Sequence, residues 1–405
     1  MKIALVNHVT YGSTGNIMLQ IADTARRSGY EVKTFSTNHY FAESQSDPSH
    51  PDHFVWGTSF ESRCHHILGK LSGWNGRFSR RGTRALIREL SAFKPDIVHL
   101  HILHSFCVNL PLLFRYLKES GVKVVWTFHD CWAFTGKCPH FAMVGCDKWL
   151  HGCGSCPQLH DYPRSLLDTT KSMYKKKQAW FTSLEKLTIV TPSEWLANLV
   201  KQSFLKDYPT KVIHNGIDLS VFRPTESDFR KKYHCEDKKI LLGVSFGWSN
   251  RKGLDMFIDL ANRLDSARCQ IVLVGTNEAT DALLPPQIIS IHRTQDQKEL
   301  AEIYSVADLF LNPTREDTFP TVNMESLACG TPVLTFRTGG SPEIIDDACG
   351  AAVDVDDIDA LEAEIYRICD TAPYSRNACL NKALNFDKYD RFADYVMLYE
   401  ELLKK

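Results

Sequence analysis

The sequence contains no apolar run that approaches the roughly 18 residues of a membrane-spanning helix, and it has no internal repeat or low-complexity segment. Its N-terminus, MKIALVNHVTYGSTG, turns polar too early for a secretion signal. Neither sign of charge is in large excess: the formal net charge is -1, which argues against bulk attraction to nucleic acid. We therefore expect a cytoplasmic protein with no nucleic-acid partner, in which the 13 cysteines are mostly reduced.

The chain of 405 residues is longer than one hydrophobic core usually organises, so two domains are expected. Short apolar, β-branched runs, each followed by a turn and a helical pattern, recur from IALVNHV (3–9) to PVLTF (332–336). Runs that are apolar on both faces and separated by helices are typical of buried parallel strands. The predicted fold class is α/β, with two facing Rossmann-like doubly wound domains and a deep interdomain cleft that binds the ligand.

The strand pattern restarts near Lys211, and this restart sets the predicted domain limits. Residues 1–205 are predicted to form the N-terminal domain, with a cysteine-rich insertion at 131–160. Residues 206–385 are predicted to form the C-terminal domain. Residues 386–405 have the pattern of an amphipathic helix, which we expect to pack back on the N-terminal domain.

Two acids, Asp317 and Glu325, stand eight residues apart in TREDTFPTVNMESLACGTPV (314–333). A strand precedes them, and a helix is expected to begin around Pro320. The unpaired N–H groups and positive dipole end of a helix start suit a phosphate or diphosphate. Glu325, just over a turn into the helix, could accept hydrogen bonds from hydroxyl groups. A diphosphate flanked by hydroxyl groups describes a nucleotide sugar; the alternative is a capped surface helix with two solvated acids.

Three motifs occur together in the second half of the chain. VIHNGIDLSVFRP (212–224) follows a strand, ACGTPV (328–333) follows the two acids, and TGGSPEII (338–345) contains a Gly-Gly-x-x-Glu turn. With these motifs the chain resembles the retaining glycosyltransferases of family 4, which have the GT-B fold, over essentially its whole length. The resemblance implies an acceptor-binding N-terminal domain and a C-terminal domain that binds a nucleotide-sugar donor.

The resemblance also implies roles for the acidic motif. Glu325 would hold the ribose of the donor, and Asp317 would contact the transferred sugar. The family usually has Glu at the first position, which is one methylene longer, so either Asp317 reaches through an altered loop or the neighbouring Glu316 contributes. Phe319 and Thr321, next to the helix start, are also expected to bind the donor.

The segment SNRKGLD (249–255) offers positive charge for the diphosphate. In the family, the Lys of a Lys-Gly pair binds the diphosphate, and here that residue is Lys252. The family usually has an Arg about five residues earlier, where this sequence has Gly247, so Arg251 is expected to take its place. With cationic side chains in this role, no catalytic metal is expected. The alternative for Arg251 and Lys252 is a solvated helix cap.

Glycines that allow close approach of the backbone to a ligand occur in both halves. Gly339 and Gly340 could donate N–H groups to the diphosphate, and Gly12 and Gly15 permit a tight turn under the diphosphate or the acceptor.

His129 ends the strand-like run VVWTFHD. In the family a His at this position touches the donor sugar near its reacting carbon; the alternative is a structural histidine. Retaining members are thought to react on one face of the sugar, so we name no enzymic nucleophile.

Four cysteines, Cys138, Cys146, Cys153 and Cys156, lie close together in the sequence. The last pair has the C-x2-C spacing of a zinc knuckle, which favours a structural zinc ion, with buried thiols or a disulfide as alternatives. A subset of bacterial family members has a similar Gly-Cys-x-x-Cys-Pro segment. These members belong to polysaccharide assembly of the colanic-acid or O-antigen type, which the resemblance therefore implies.

The segment at 63–90, RCHHILGKLSGWNGRFSRRGTRALIREL, interleaves Arg and Lys with Leu, Trp and Phe. A basic segment with aromatic residues can lie on an anionic bilayer. Enzymes of this type often use polyprenyl-diphosphate-linked acceptors, which would place the protein peripherally on the inner face of the membrane. The alternative is a solvated helix and loop beside the acceptor site.

The sequence therefore predicts a retaining, metal-independent glycosyltransferase of the hexosyltransferase type. It would move a sugar from a nucleotide-sugar donor to a glycan or lipid-linked acceptor in bacterial surface polysaccharide biosynthesis. The rival hypotheses are a nucleotide-sugar epimerase or a phosphorylase on the same fold, and a binding scaffold that is inactive because Asp317 replaces Glu. The sequence does not fix the base, the sugar or the acceptor; base recognition is expected near Thr294 to Leu300 by family analogy.

Overall fold

The computed structural model describes residues 1–37 and 52–404. The chain divides into two compact units, of which the first consists of Met1–His214 and Arg391–Lys405, and the second of Asn215–Asp390. No helix within the described ranges is long and apolar enough to cross a membrane.

The first unit is built on a parallel sheet of seven described strands in the order β3-β2-β1-β4-β5-β6-β7. These strands are β1 (Lys2–Val6), β2 (Glu31–Thr37), β3 (His53–Trp56), β4 (Ile97–Leu100), β5 (Lys123–Thr127), β6 (Leu187–Thr191) and β7 (Thr210–Val212). The helices between them are α1 (Gly12–Arg27), α2 (Ser59–Ser72), α3 (Arg80–Phe93), α4 (Leu110–Ser120), α5 (Thr170–Phe181) and α6 (Glu194–Val200).

The second unit has a parallel sheet of six strands in the order β10-β9-β8-β11-β12-β13. These strands are β8 (Lys239–Val244), β9 (Cys269–Val274), β10 (Ile289–Ile291), β11 (Leu309–Asn312), β12 (Val333–Phe336) and β13 (Gly350–Val353). Its helices are α7 (Phe229–Lys232), α8 (Leu254–Arg263), α9 (Glu278–Asp281), α10 (Gln297–Val306), α11 (Thr321–Ala328), α12 (Ile358–Thr371) and α13 (Arg376–Ala383).

The strands are apolar on both faces because each sheet is covered by helices on both sides. Side chains alternate along β1, so Ala4 and Val6 lie in one hydrophobic core of the first unit and Ile3 and Leu5 lie in the opposite one. The same alternation occurs in the second unit. The predicted α/β fold class, with two Rossmann-like doubly wound sheets, is confirmed.

The last helix, α14 (Lys388–Lys404), supplies two buried tyrosines to the first unit. The Tyr399 hydroxyl lies 2.6 Å from Nδ1 of His99, at the end of β4, and the Thr127 hydroxyl donates to the Tyr395 hydroxyl at 3.3 Å. The C-terminal segment therefore completes the hydrophobic core of the first unit.

The strand near Lys211 was predicted to begin the second domain, but in the structure it belongs to the sheet of the first unit. β7 pairs with β6, with Lys211 opposite Val190, so this strand is the edge of the first sheet. The second sheet begins only with β8, and the first unit extends to His214 rather than to residue 205. A short apolar run carries no information about which sheet it joins, because that depends on its backbone partner.

Candidate active site

Each sheet reverses its strand order at one point, between β1 and β4 in the first unit and between β8 and β11 in the second. In open α/β sheets the loops that leave such a switch point diverge, and ligands bind in the crevice at the carboxyl ends of the strands. Lys252 follows β8, and Asp317 follows β11. The predicted catalytic residues of the second half therefore lie in the two loops at its switch point.

Glu325 lies in the second turn of α11, which begins at Thr321 directly after Pro320. The hydroxyl of Tyr304, on α10, donates to Oε2 of Glu325 at 3.2 Å, and Thr321 also bonds the carboxylate. Burial raises the pKa of Glu325 to about 7, although both hydrogen bonds lower it. Near neutral pH this carboxyl group therefore exchanges between its acceptor-only and its donor form.

Glu325 lines a cavity of about 770 Å³ in the second unit. The rest of the wall comes from the loops after β8, β9 and β10, from α10 and from the start of α11, so the cavity opens at the carboxyl ends of three neighbouring strands. Residues 294–297 and Leu300, where base recognition is expected, are part of this wall. The volume lies in the range of pockets that bind small molecules and cofactors.

Lys252 ends a 3₁₀ turn, Asn250–Lys252, and its ammonium group lies 2.6 Å from Oδ2 of Asp317. The next residue, Gly253, has φ = 76°, and a Cβ atom there would lie 2.3 Å from the carbonyl oxygen of Pro313. Only glycine allows the two loops to approach this closely. The Lys-Gly pair thereby places the ammonium group against the loop after β11, which we call the acidic loop because it contains Glu316 and Asp317.

Arg251 is held by the backbone of the acidic loop. Its Nη1 donates to the carbonyl oxygen of Glu316 at 3.2 Å, and its own carbonyl accepts from the N–H of Arg315 at 2.9 Å. Glu316 is buried, with 7% of its surface exposed. Arg251 is therefore held against the backbone of this loop next to Glu316.

Arg315 is a residue that the sequence reasoning missed. Its buried guanidinium group makes two hydrogen bonds to the Asp255 carboxylate, at 2.8 and 2.6 Å, and one to Asp356 at 2.6 Å. These bonds fix the acidic loop to α8 and to the loop after β13. Asp356 belongs to the Asp-rich segment DVDDID (354–359), which therefore helps to hold the acidic loop.

Gly339 and Gly340 pack against the backbone of Asp317. A Cβ atom on Gly339 would lie 1.7 Å from the Asp317 carbonyl oxygen, and the Gly340 N–H donates to that oxygen at 3.2 Å. The ring of Phe319 is buried and lies against Phe386 in the core, while its N–H donates to Oδ1 of Asp317 at 3.3 Å. In this structure the two glycines and Phe319 therefore position Asp317.

In the first unit, His129 lies two residues after the end of β5 and is partly exposed. Its Nε2 is 3.0 Å from Nδ1 of His101, which follows β4, and the two rings are stacked. Burial lowers the pKa of His129 to about 4, so the ring is neutral at neutral pH. Nε2 of His101 is buried and has no hydrogen-bond partner among the described residues.

His101 was not predicted, although His-x-His at the end of a buried strand was a usable signal. The two predicted glycines of the first unit lie in the first turn of α1, directly after the loop that follows β1. Gly12 has φ = 68° and begins α1, and a Cβ atom on Gly15 would lie 2.4 Å from the carbonyl carbon of Thr10. Gly15 is therefore required for the tight β1–α1 turn at this switch point.

The structure does not support zinc at Cys138, Cys146, Cys153 and Cys156. Within residues 1–37 and 52–404, no group of three or more His, Cys, Asp or Glu side chains could hold a metal ion. None of the 13 cysteines, all of which lie in these ranges, forms a disulfide. Burial and the neighbouring thiols raise the pKa of Cys138 to about 12. The C-x2-C spacing indicated a knuckle, but spacing alone does not fix the directions of four thiols.

Two lysines hold the cysteine-rich insertion instead. The ammonium group of Lys137 donates to the carbonyl oxygens of Gln158, Leu159 and Asp161 at 2.6 to 2.9 Å. Lys177, on α5, is buried and donates to the carbonyl oxygens of Trp132 and Thr135. Burial lowers the pKa of Lys177 to about 7.

Two family descriptions match the chain. "Glycosyltransferase Family 4" matches residues 14–221, and "Glycosyl transferases group 1" matches residues 238–371. The putative colanic acid biosynthesis glycosyl transferase WcaC of Escherichia coli K12 is 23% identical over 276 residues, covering 65% of each chain. The D-inositol 3-phosphate glycosyltransferase of Mycolicibacterium smegmatis is 29% identical over 178 residues, covering 40% of each. The chain thus spans less than two thirds of the length of these relatives.

Similarity to solved structures covers nearly the whole chain. Sucrose-phosphate synthase from Thermosynechococcus elongatus has a TM-score of 0.72 at 18% identity, covering 100% of this chain and 99% of that one. Anabaena HepE in complex with UDP has a TM-score of 0.69 at 14% identity, covering 99% and 100%. With its two Rossmann-like sheets, the protein has a GT-B fold. Since one family description matches more than half of the chain, this protein belongs to glycosyltransferase family 4.

Proposed function

We propose that this protein is a retaining glycosyltransferase that moves a sugar from a nucleoside-diphosphate sugar to a glycan or lipid-linked acceptor. The cavity at the carboxyl ends of β8, β9 and β10 carries the proposal, because Glu325 lies in its wall and Lys252 and Asp317 follow strands of the same sheet. A nucleoside would occupy the cavity, with its ribose hydroxyls donating to Glu325.

The bond that breaks joins the anomeric carbon of the donor sugar to an oxygen of the diphosphate, which leaves with additional negative charge. Lys252 and Arg251 supply positive charge for this leaving group, and their positions are fixed by the acidic loop. The acceptor hydroxyl forms the new bond and gives its proton to the leaving phosphate. His129, neutral and partly exposed, would hydrogen-bond the transferred sugar, with Gly12 and Gly15 close to the diphosphate or acceptor.

The relatives support a setting in polysaccharide or glycolipid synthesis. One is named for colanic acid biosynthesis, and another is a GDP-mannose-dependent mannosyltransferase of Corynebacterium glutamicum that acts on a monoacylated phosphatidylinositol monomannoside. HepE, similar in fold, has been solved with UDP and with UDP-glucose. These names support a nucleotide-sugar donor for this chain and leave its base and sugar to experiment.

The first test is a thermal-shift and calorimetric screen of the full chain against UDP, GDP, ADP and their sugar conjugates. A nucleotide that binds only the folded protein raises the midpoint of thermal unfolding. We expect one base to bind, and Glu325→Ala to weaken that binding by about tenfold because the ribose loses its acceptor. Asp259→Ala, which removes an exposed carboxylate of α8 outside the cavity, is the matched control. Equal affinities for the two variants would contradict the ribose assignment.

Turnover distinguishes the rival hypotheses. A transferase releases nucleoside diphosphate only when an acceptor accepts the sugar, whereas an epimerase changes the donor without acceptor and a phosphorylase requires inorganic phosphate. A protein that binds the nucleotide and shows none of these reactions with any acceptor tested is the scaffold. Retention is tested by NMR of the product, in which the anomeric configuration of the donor must be preserved.

A further inference from the structure

Helix α2 of the first unit turns its polar face inward and its apolar face outward, which is the opposite of an ordinary surface helix. The residues it buries are Ser62, His65 and Gly69. The Nε2 atom of His65 accepts from the N–H of Gly76 at 3.2 Å, so its Nδ1 donates to the hydroxyl of Ser79 at 2.8 Å. The inward face is therefore polar, and both ring nitrogens of His65, its largest residue, are hydrogen-bonded. This face buries little apolar surface.

The outward face of α2 is apolar. Phe60 is 76% exposed, Ile67 and Leu71 are each 50% exposed, and Leu68 is 44% exposed. Phe60, Ile67 and Leu71 are seven and four residues apart, which places them on one line along the helix, and Leu68 is adjacent. An apolar stripe normally faces the core, so its position on the outside requires a different partner.

The stripe continues onto a second segment. The N–H of Leu166 donates to the carbonyl oxygen of Lys70 at 2.8 Å, so the loop at 166–167 lies against the end of α2. Leu166 is 49% and Leu167 is 60% exposed. We call this set the α2 apolar surface: Phe60, Ile67, Leu68, Leu71, Leu166 and Leu167.

Basic side chains flank the α2 apolar surface. Residues 59–88 contain seven Lys or Arg residues and a single acid, Glu61, although the whole chain has a formal net charge of -1. The Glu61 carboxylate accepts from the backbone N–H groups of Arg81 and Gly82 at 2.9 Å. Arg63 and Lys70, seven residues apart, form a line along one side of the stripe.

An aromatic side chain adjoins the same end of the helix. The ring of Trp74, two residues after α2, has the Arg77 guanidinium group at 5.2 Å and the Lys176 ammonium group at 5.4 Å. Tryptophan with basic neighbours is typical of the level at which lipid headgroups meet acyl chains. Apolar, aromatic and cationic groups therefore occur together, as in helices that lie in a membrane interface.

We propose that the α2 apolar surface lies on a bilayer that carries anionic phospholipids. The apolar side chains enter the boundary of the acyl chains, and the basic side chains of α2 and α3 contact the phosphate groups. A second copy of the chain fits less well, since a symmetric contact would bring two strongly basic segments together. The inference extends the proposed function by naming the surface that brings the enzyme to a lipid-linked acceptor, and it is tested without nucleotide.

The test is co-sedimentation of the full chain with phospholipid vesicles. One set consists of phosphatidylcholine, and the other contains about 30 mol% phosphatidylglycerol, a lipid with one negative charge. We expect clear binding to the anionic vesicles, little to the neutral ones, and release as NaCl rises from about 0.1 M to about 0.5 M. Equal binding to the two sets, or binding to neither, would overturn the proposal.

The variant Phe60→Ser/Leu71→Ser removes two side chains of the stripe, and we expect it to bind anionic vesicles about tenfold more weakly. Leu283→Ser/Leu384→Ser, which changes two leucines of the second unit that are each 62% exposed, should bind as the wild type does. Both variants should keep the wild-type unfolding midpoint and nucleotide affinity, because all four positions are exposed and outside the cavity. Undiminished vesicle binding by the first variant would exclude the α2 apolar surface.

Sedimentation velocity without lipid decides between a bilayer and a second copy. If the wild type is a dimer and Phe60→Ser/Leu71→Ser is a monomer, the surface is an interface between copies and the lipid proposal is wrong. Nucleotide binding that survives while vesicle binding fails would leave the proposed function intact and remove only the membrane surface.

Discussion

The ammonium group of Lys252 lies 2.6 Å from a carboxylate oxygen of Asp317, in an ion pair that joins the loops after β8 and β11. Both side chains are partly buried, and the second oxygen of Asp317 accepts from the N–H of Phe319. The shorter acid at the first position of the motif therefore holds the lysine that we assign to the diphosphate. A diphosphate at Lys252 would compete with Asp317 for the same ammonium group.

Replacing Asp317 by Asn tests this competition. Because the variant lacks the competing charge, the affinity for the matching nucleoside diphosphate should stay the same or increase by up to about fivefold, the range of a partly exposed ion pair. The rate of sugar transfer should fall by about tenfold or more, because Lys252 loses its fixed position. Calorimetry and initial rates measure the two effects, and Asp317→Glu, which keeps the charge, should keep the wild-type affinity. Weaker diphosphate binding by Asp317→Asn would contradict the competition.

Glu325 should make the stability of the protein depend on pH. Burial raises its pKa from the ordinary 4.5 to about 7, so between these values the folded protein holds a proton that the unfolded chain has lost. The free energy of unfolding therefore falls as pH rises through this window. Glu325→Gln removes this contribution, and its unfolding midpoint should rise relative to that of the wild type from about pH 5 to about pH 8. Parallel pH profiles for the two proteins would show that the carboxylate is not perturbed.

The strands and the acidic motif could be predicted because their signals are local. Alternation such as Ile3 and Leu5 against Ala4 and Val6 follows from the pleat of a strand, and Pro320 marks a helix start through its missing N–H. These features depend on residues within one turn or strand, where spacing determines direction.

The missed residues depend on partners that are distant in the sequence. Arg315 bonds Asp255, 60 residues away, and His101 bonds His129, 28 residues away. Tyr304 reaches Glu325 from a separate helix. Such pairs follow from the order of strands in the sheet, which no spacing in the sequence reveals; for the same reason β7 was assigned to the wrong sheet.

His101 should act on catalysis through His129. Replacing it by Phe keeps an aromatic ring in the stack and removes the hydrogen bond to Nε2 of His129. We expect kcat to fall by about tenfold, since His129 loses the partner that fixes its tautomer and orientation. Nucleotide affinity should not change, because the cavity belongs to the second unit. His101→Gln, which can restore a hydrogen bond, should recover part of the rate; a loss of nucleotide affinity instead would indicate a structural role.

Lys177 should contribute to stability through the cysteine-rich insertion. Its buried ammonium group donates to the carbonyl oxygens of Trp132 and Thr135 and lies 3.7 Å from the centre of the Trp132 ring. Replacement by Met fills a similar volume and removes the donor, so it should lower the free energy of unfolding by about 2 to 4 kcal/mol. Chemical denaturation measures the change, and Lys175→Met, at an exposed position of the same helix, should have little effect.

The difference in the free energy of unfolding between the wild type and Lys177→Met should depend on pH, and this dependence shows whether Lys177 is charged in the folded protein. Burial lowers its pKa from 10.5 to about 7, so between these values the unfolded chain binds the extra proton. The free energy of unfolding of the wild type should therefore rise with pH above about 7 relative to that of Lys177→Met. A stability difference that stays constant from about pH 7 to about pH 9 would mean that Lys177 keeps its charge in the folded protein. In that case the Trp132 ring and the two carbonyl oxygens would together compensate the burial of a full positive charge.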